Sequence, residues 1–193
     1  MSKIAIIYFS KTQATAKLAR SIESGIVQHG EHSVLSHQIQ GSEIIEGRFS
    51  NPELMQQLAD CAAIIFGSPT YMGGVAAQFK AFADASSGTW SKQKWTNKLA
   101  AGFTCGGSLN GDQSMTLQYL QTLSSQHGML WVSLGIPSNS GEQGLNRLGT
   151  QAGIVAQNNN GKLHHSDLAT AHYLGNRIAE LVSAQADNTQ ANK

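Results

Sequence analysis

The sequence predicts an α/β chain built on a doubly wound, five-stranded parallel sheet with helices on both faces. Short apolar runs alternate with amphipathic segments along the chain, giving five strand–helix units in succession. The runs from Lys3 to Phe9 and from Ala62 to Gly67 are almost unbroken hydrophobic stretches, the pattern of strands covered on both sides.

The first strand, residues 3–9, leads to a helix over 15–26, where Leu18, Ala19, Ile22 and Ile26 recur at helical spacing. Residues 33–39 form a weaker strand. Asn51-Pro52-Glu53 reads as a helix start, with a capping side chain and proline at the first helical position, and the helix runs to about Asp60. Residues 62–67 are the third strand, and 75–85 a helix with Phe79 and Phe82 on one face. A fourth strand over 99–104, a helix over 114–125 and a fifth strand over 129–133 follow. The Gly- and polar-rich stretch from Gly135 to about Lys162 is expected to hold little regular structure. A last amphipathic helix over 167–182 carries Leu168, Ala171, Leu174, Ile178 and Leu181. Residues 1–184 are expected to form one domain, and the polar tail 185–193 to be disordered.

Composition narrows the function. The chain has 193 residues, 40% of them hydrophobic and 13% charged, with a formal net charge of +1 and no run of like charges. The basic stripe that nucleic-acid binding requires is absent. No apolar stretch approaches the roughly 20 residues that span a bilayer. Only Lys3 stands before the first apolar run, so no secretory leader is expected. Two cysteines, Cys61 and Cys105, cannot make a disulfide framework, and the expected location is the cytoplasm.

In a sheet of this kind, ligands bind at the carboxyl ends of the strands where strand order reverses. Three loops fall there. The first, Ser10-Lys11-Thr12-Gln13-Ala14-Thr15, gathers hydroxyls and free N–H groups at a helix N-terminus and suits a phosphate monoester held without metal. A Ser/Thr-rich turn that only caps a helix has the same composition. The second, from Gly67 through Thr70 to Gly74, has glycines, Gly73 among them, and Pro69 to set the backbone path, and Tyr71 and Met72 to meet a planar ring; an ordinary turn with one incidental aromatic has the same composition. The third runs through Cys105, Gly106, Gly107, Ser108, Leu109 and Asn110, where glycines let backbone close on a ligand edge. No nucleophile or carboxylate pair converges on these loops. The histidines show no recognisable metal-ligand spacing, His164-His165 being an adjacent pair in a polar stretch, and no metal is expected.

The run Gly67-Ser68-Pro69-Thr70-Tyr71-Met72-Gly73-Gly74-Val75-Ala76-Ala77-Gln78-Phe79-Lys80 resembles the second flavin loop and following helix of WrbA-type NAD(P)H:quinone oxidoreductases. Ser87-Gly88-Thr89-Trp90, Lys98-Leu99-Ala100, the Gly106–Gly111 loop, His127-Gly128-Met129 and Gly175-Asn176-Arg177 extend the resemblance over nearly the whole chain. It implies a flavodoxin-like sheet of order 2-1-3-4-5 and FMN as cofactor. The FMN phosphate would lie on the first loop and its ring on Thr70, Tyr71 and Met72, with Cys105 through Asn110 at the other edge. The implied activity is ping-pong hydride transfer from NADPH or NADH through FMN to a quinone, in a homodimer or homotetramer. Trp90 would border the acceptor pocket across a subunit interface. His127 is the candidate proton donor, its alternative a helix-end residue bonded to the last carbonyls.

The chain departs from the family pattern in places. Gln13 and Ala14 stand where a glycine and a histidine are usual, and Thr12 replaces an aromatic. Gln126 takes the position of the histidine nearest the flavin. Two other readings stay open: a flavodoxin-type electron shuttle, which ordinarily uses an acidic docking face that this balanced chain lacks, and a non-catalytic scaffold of the same fold.

Overall fold

The computed structural model describes residues 1–191. Strands β1 (Ser2–Tyr8) and β2 (His32–Gln38) flank helix α1 (Ala14–Gln28) in sequence. A short 3-10 turn (Gly41–Glu43) and a hairpin of β3 (Ile44–Ile45) and β4 (Arg48–Phe49) precede α2 (Pro52–Ala59). Then come β5 (Ala63–Tyr71), β6 (Gly74–Val75), α3 (Ala77–Ala85), α4 (Ser87–Trp90), β7 (Leu99–Gly106), α5 (Gln113–Gln126), β8 (Leu130–Trp131), β9 (Ile154–Gln157) and α6 (His165–Ala191). The expected start of α2 is observed: Asn51 Oδ1 accepts the Leu54 N–H at 2.9 Å, and Pro52 opens the helix.

The main sheet runs β2-β1-β5-β7-β8, all parallel, which is the predicted 2-1-3-4-5 order. Strand alternation divides the core in two. Ile4, Ile6 and Tyr8 of β1 face Leu18, Ile22 and Ile26 of α1 and Leu174 and Ile178 of α6. Ala5 and Ile7 face the other side, where Phe66, Phe79, Phe82 and Trp95 stack under α2, α3 and α5. Each fully buried aliphatic side chain in these layers contributes about 1.5–3 kcal/mol, so both faces hold helices firmly and the chain's loops are left to the sheet edges.

Two sequence expectations need correction. The fifth sheet position is filled twice: β8 pairs with the first residues of β7 (Leu99↔Leu130), and β9 with the last (Phe103↔Ile154 to Gly106↔Gln157). The stretch expected to be irregular therefore contains a strand, and residues 132–153 form an excursion between the two halves. A Cβ on Gly153 would lie 2.4 Å from the Gly102 carbonyl oxygen, so β9 begins where only glycine clears the neighbouring strand. The last helix also continues past Val182 to Ala191, through most of the expected tail. Its far end is not free: Ser183 Oγ donates to Glu31 and lies 3.1 Å from His32 Nε2, and the Ala-Gln-Ala sequence there favours helix. Residues 192–193 of that tail lie outside the described residues.

Candidate functional site

The chain leaves β1 and β5 in opposite directions, because β1 is followed by β2 on its outer side and β5 by β7 on the side away from β1. The turns after these strands thus diverge around a crevice. The three predicted loops meet there.

In the first loop, Gln13 takes a left-handed conformation (φ 64°) and the helix begins at Ala14. Ser10 Oγ accepts the Ala16 N–H at 3.2 Å, and the Gln38 amide donates to the Ser10 carbonyl. Lys11, Thr12 and Gln13 are exposed, and the N–H groups of the first helical turn have no intrahelical acceptors. No acidic side chain occupies the first turn. The donor set therefore suits an anion. Ala14 and Thr15 are buried. Thr15 Oγ1 lies 3.3 Å from Cys105 Sγ, so both side chains are occupied with each other and only their backbones can face a ligand. Burial raises the Cys105 thiol pKa, against a smaller lowering by Thr15, which makes it a packed thiol and not a redox thiolate.

The second loop is a hairpin. Thr70 and Tyr71 of β5 pair antiparallel with Val75 and Gly74 of β6, across a two-residue turn in which Met72 (φ 48°) and Gly73 (φ 77°) are both left-handed. Met72 projects fully into solvent and Tyr71 is exposed. Thr70 Oγ1 is 2.8 Å from both Thr104 Oγ1 and Thr116 Oγ1, which ties the hairpin base to β7 and α5. Pro69 is buried beneath the turn.

The third loop leaves Gly107, Ser108 and Leu109 exposed around open backbone. Asn110 Nδ2 donates to the Leu148 carbonyl and Thr150 Oγ1, while Gln113 Nε2 donates to the Ser108 carbonyl. The remaining oxygens, Asn110 Oδ1 and Gln113 Oε1, are buried without a hydrogen-bond partner among the described residues. Unpaired buried acceptors call for a donor. An anion cradle, exposed apolar side chains at Tyr71, Met72 and Leu109, and spare acceptors together fit a flat heteroaromatic ring with a phosphate tail.

A fourth loop, missed in the sequence, completes the crevice. After β9, Asn158 N–H donates to the Gly106 carbonyl at 2.7 Å and Asn158 Nδ2 approaches Thr12 Oγ1 at 3.4 Å. Gln157 Nε2 donates to the Gly107 carbonyl, and Lys17 Nζ to the Gly161 carbonyl. Asn159 and Lys162 bridge across Asn160-Gly161, both with positive φ. That Asn-Gly pair was the available signal. Buried Asp167 holds the loop from behind, accepting two bonds from Arg147 (2.7 and 2.8 Å) and one from the Gln157 N–H. The 132–153 excursion, which carries Arg147, Leu148 and Thr150, thus braces the third and fourth loops together.

His127 and Trp90 are not part of this crevice. His127 follows α5, beside the start of β7, since the Asn97 N–H donates to the Gly128 carbonyl two residues before Leu99. From Leu99 to Gly106 is roughly 23 Å along the strand. The His127 ring is 2% exposed, packs 4.2 Å from Trp95 and bonds Ser86 Oγ at 2.8 Å. Desolvation pulls its pKa down to about 4. A neutral, enclosed imidazole at the amino ends of the strands cannot give a proton to a ring held by the loops at their carboxyl ends. Trp90, half-exposed, borders a depression of about 230 Å³ with Gln126 and His127 at that same far end.

Known proteins share this architecture. A flavodoxin, FldP, from Pseudomonas aeruginosa is 36% identical over 190 residues, 94% of this chain and 97% of that protein. The quinone oxidoreductase QR2 of Triphysaria versicolor is 32% identical over 143 residues, covering 69% and 70%. Among solved structures, a flavodoxin described as WrbA-like, from Agrobacterium tumefaciens, matches with a TM-score of 0.75 and 37% identity over 95% of this chain and 99% of that one. The family model described as NADPH-dependent FMN reductase matches residues 3–141. The chain therefore belongs to the NADPH-dependent FMN reductase family, as an FMN- and NAD(P)H-using oxidoreductase of the WrbA-like flavodoxin type.

Proposed function

We propose that the chain is an NAD(P)H:quinone oxidoreductase working by ping-pong hydride transfer. The observation that carries this reading is that a helix-start turn without acidic residues, Lys11 to Ala14, and exposed Tyr71, Met72 and Leu109 stand at the carboxyl ends of adjacent strands. FMN, when bound, supplies the two-electron chemistry by which the hydride of NADPH or NADH reaches a quinone.

The chain's own residues hold and orient. Ser10, Thr12 and Gln13, with the first-turn N–H groups of Ala14 and Thr15, grip the phosphate, and Lys11 adds positive charge at the rim. Thr70, Tyr71, Met72 and Gly73 present one wall to the ring, with Pro69 beneath. Gly106, Gly107, Ser108, Leu109 and Asn110 present the other, and Cys105 contributes backbone. N–H groups of the glycine pair could stabilise negative charge that develops on the bound ring. Each turnover converts NAD(P)H, a proton and a quinone into NAD(P)⁺ and a hydroquinone. The proton comes from water, because the crevice is open and His127 is enclosed elsewhere.

Exposed Trp90 serves another copy's pocket, in a homodimer or homotetramer whose interface uses the edge holding Gln126. We take residues 1–184, with the helical continuation of α6, as one flavin-binding domain. Two free, buried cysteines agree with a cytoplasmic location, and no helix among the described residues is long and apolar enough to cross a membrane.

The test is steady-state NAD(P)H oxidation with benzoquinone by FMN-loaded protein. Sustained turnover supports the reading. A second reading, an electron shuttle, is favoured by the near full-length similarity to FldP, and it predicts no turnover until a separate reductase is added.

A further inference from the structure

The amino end of the outer strand β2, away from the crevice, carries a second cluster of chemistry-bearing residues. Helix α1 ends at Gln28 and β2 begins at His32, so the chain reverses within His29-Gly30-Glu31, with Gly30 left-handed at φ 80°. The reversal stacks the rings of His29 and His32 at 5.5 Å and 17°. One ligand atom from each of His29, Glu31 and His32 lies within 4.8 Å of the other two. The spacing in the sequence gives no sign of this, because the turn creates the convergence.

The protonation pattern is set by neighbours. His32 Nε2 lies 3.0 Å from the Ala179 carbonyl oxygen, which only accepts, so Nε2 carries a hydrogen and the lone pair of the neutral ring is on Nδ1. Ser183 Oγ, 3.1 Å from the same Nε2, donates its own hydrogen to Glu31 Oε2 at 3.0 Å. The Nδ1 atoms of both His32 and His29 are buried and have no hydrogen-bond partner among the described residues. Two enclosed imidazole nitrogens beside a carboxylate are thus left without a hydrogen-bond partner among the described residues. Glu31 and His32 also border a depression of about 440 Å³, together with Ser183, Ala186 and Asp187 of α6.

We propose that His29, Glu31 and His32 bind a divalent transition ion of the zinc class, with water or Asp187 completing the shell from the depression. Two imidazoles and a carboxylate suit a borderline ion at bond lengths of about 2.0–2.1 Å. Magnesium and calcium, which need oxygen-rich shells, do not match this set. The Ala179 carbonyl and Ser183 are the outer partners that orient metal-ligating side chains. The ion joins the end of α1 and the start of β2 to the far part of α6. Along α1 it is about 22 Å from the phosphate turn, so it is a clamp on the fold and not part of the redox site.

The experiment is calorimetric titration of tag-free, FMN-loaded protein with Zn²⁺, with Co²⁺ absorption to report the ligand field and thermal unfolding to report the clamp. The expected result is one Zn²⁺ per chain at micromolar or tighter dissociation constant, a raised melting temperature, and no saturable uptake of Mg²⁺. Glu31→Gln, which leaves the fold's hydrogen bonds nearly intact, and the pair His29→Gln/His32→Gln should each weaken binding at least tenfold. His164→Gln/His165→Gln should leave it unchanged. No saturable Zn²⁺ uptake, or uptake that survives the first variants and follows His164 and His165, overturns the proposal.

Discussion

Gly25 of α1 and Gly175 of α6 face each other at the point where the two helices touch. A Cβ on Gly25 would lie 2.0 Å from the His172 carbonyl oxygen, and a Cβ on Gly175 would lie 2.0 Å from that of Ile22. Neither neighbour is a side chain that can swing away. The crossing brings α1, whose first turn opens onto the crevice, into rigid contact with the longest helix among the described residues.

Gly25→Ala or Gly175→Ala should therefore force the helices apart, at a cost of about 3 kcal/mol or more, the upper range for overpacking. Urea unfolding measures it. Gly88→Ala, where an added Cβ meets nothing within 4 Å, should be neutral or slightly stabilising.

Thr12 separates the phosphate site from the fold. It is exposed at the head of α1, whereas Thr15 is buried against Cys105. A carboxylate at Thr12→Glu favours the helix dipole but opposes a dianion. FMN affinity should fall at least tenfold while the flavin-free protein keeps its melting temperature or gains slightly. Flavin fluorescence titration reads the first and calorimetry the second. Unchanged affinity would remove the phosphate from this turn.

Acid should destabilise the protein through His127. Its ordinary pKa of 6.5 falls to about 4 on folding, because burial disfavours the charged ring. The unfolded chain takes up a proton near pH 6.5 and the folded chain does so only near pH 4, so the contribution is complete above 6.5 and is lost as pH falls through that interval. At about 1.4 kcal/mol per unit, the wild-type excess loss approaches 3 kcal/mol. His127→Gln, which retains a partner for Ser86, should show a flatter stability profile between pH 6.5 and 4 while quinone turnover per bound FMN changes little.

Asp167 is buried and paired with Arg147, so Arg147→Met leaves an uncompensated carboxylate and should cost about 3–5 kcal/mol. Asp167 also holds the Gln157 N–H, and FMN affinity should fall with stability. Asn158→Ala, which touches only the loops, should lower FMN affinity several-fold with stability within about 0.5 kcal/mol of wild type.

Local pattern made much of this legible. The runs Lys3–Phe9 and Ala62–Gly67 declare strands covered on two faces, Asn51-Pro52 declares a helix start, and the three loops between such units fall where a doubly wound sheet binds ligands. These are properties of neighbouring residues, and short-range sterics and burial enforce them. What the tertiary structure alone decided is which distant residues share a place. It set β9 beside the end of β7, drew Asn158 to Thr12, turned Thr15 and Cys105 toward each other, and put His127 at the opposite end of the strands from the crevice loops. No periodicity records those pairings, because strand order and helix direction fix them only once the whole sheet has formed.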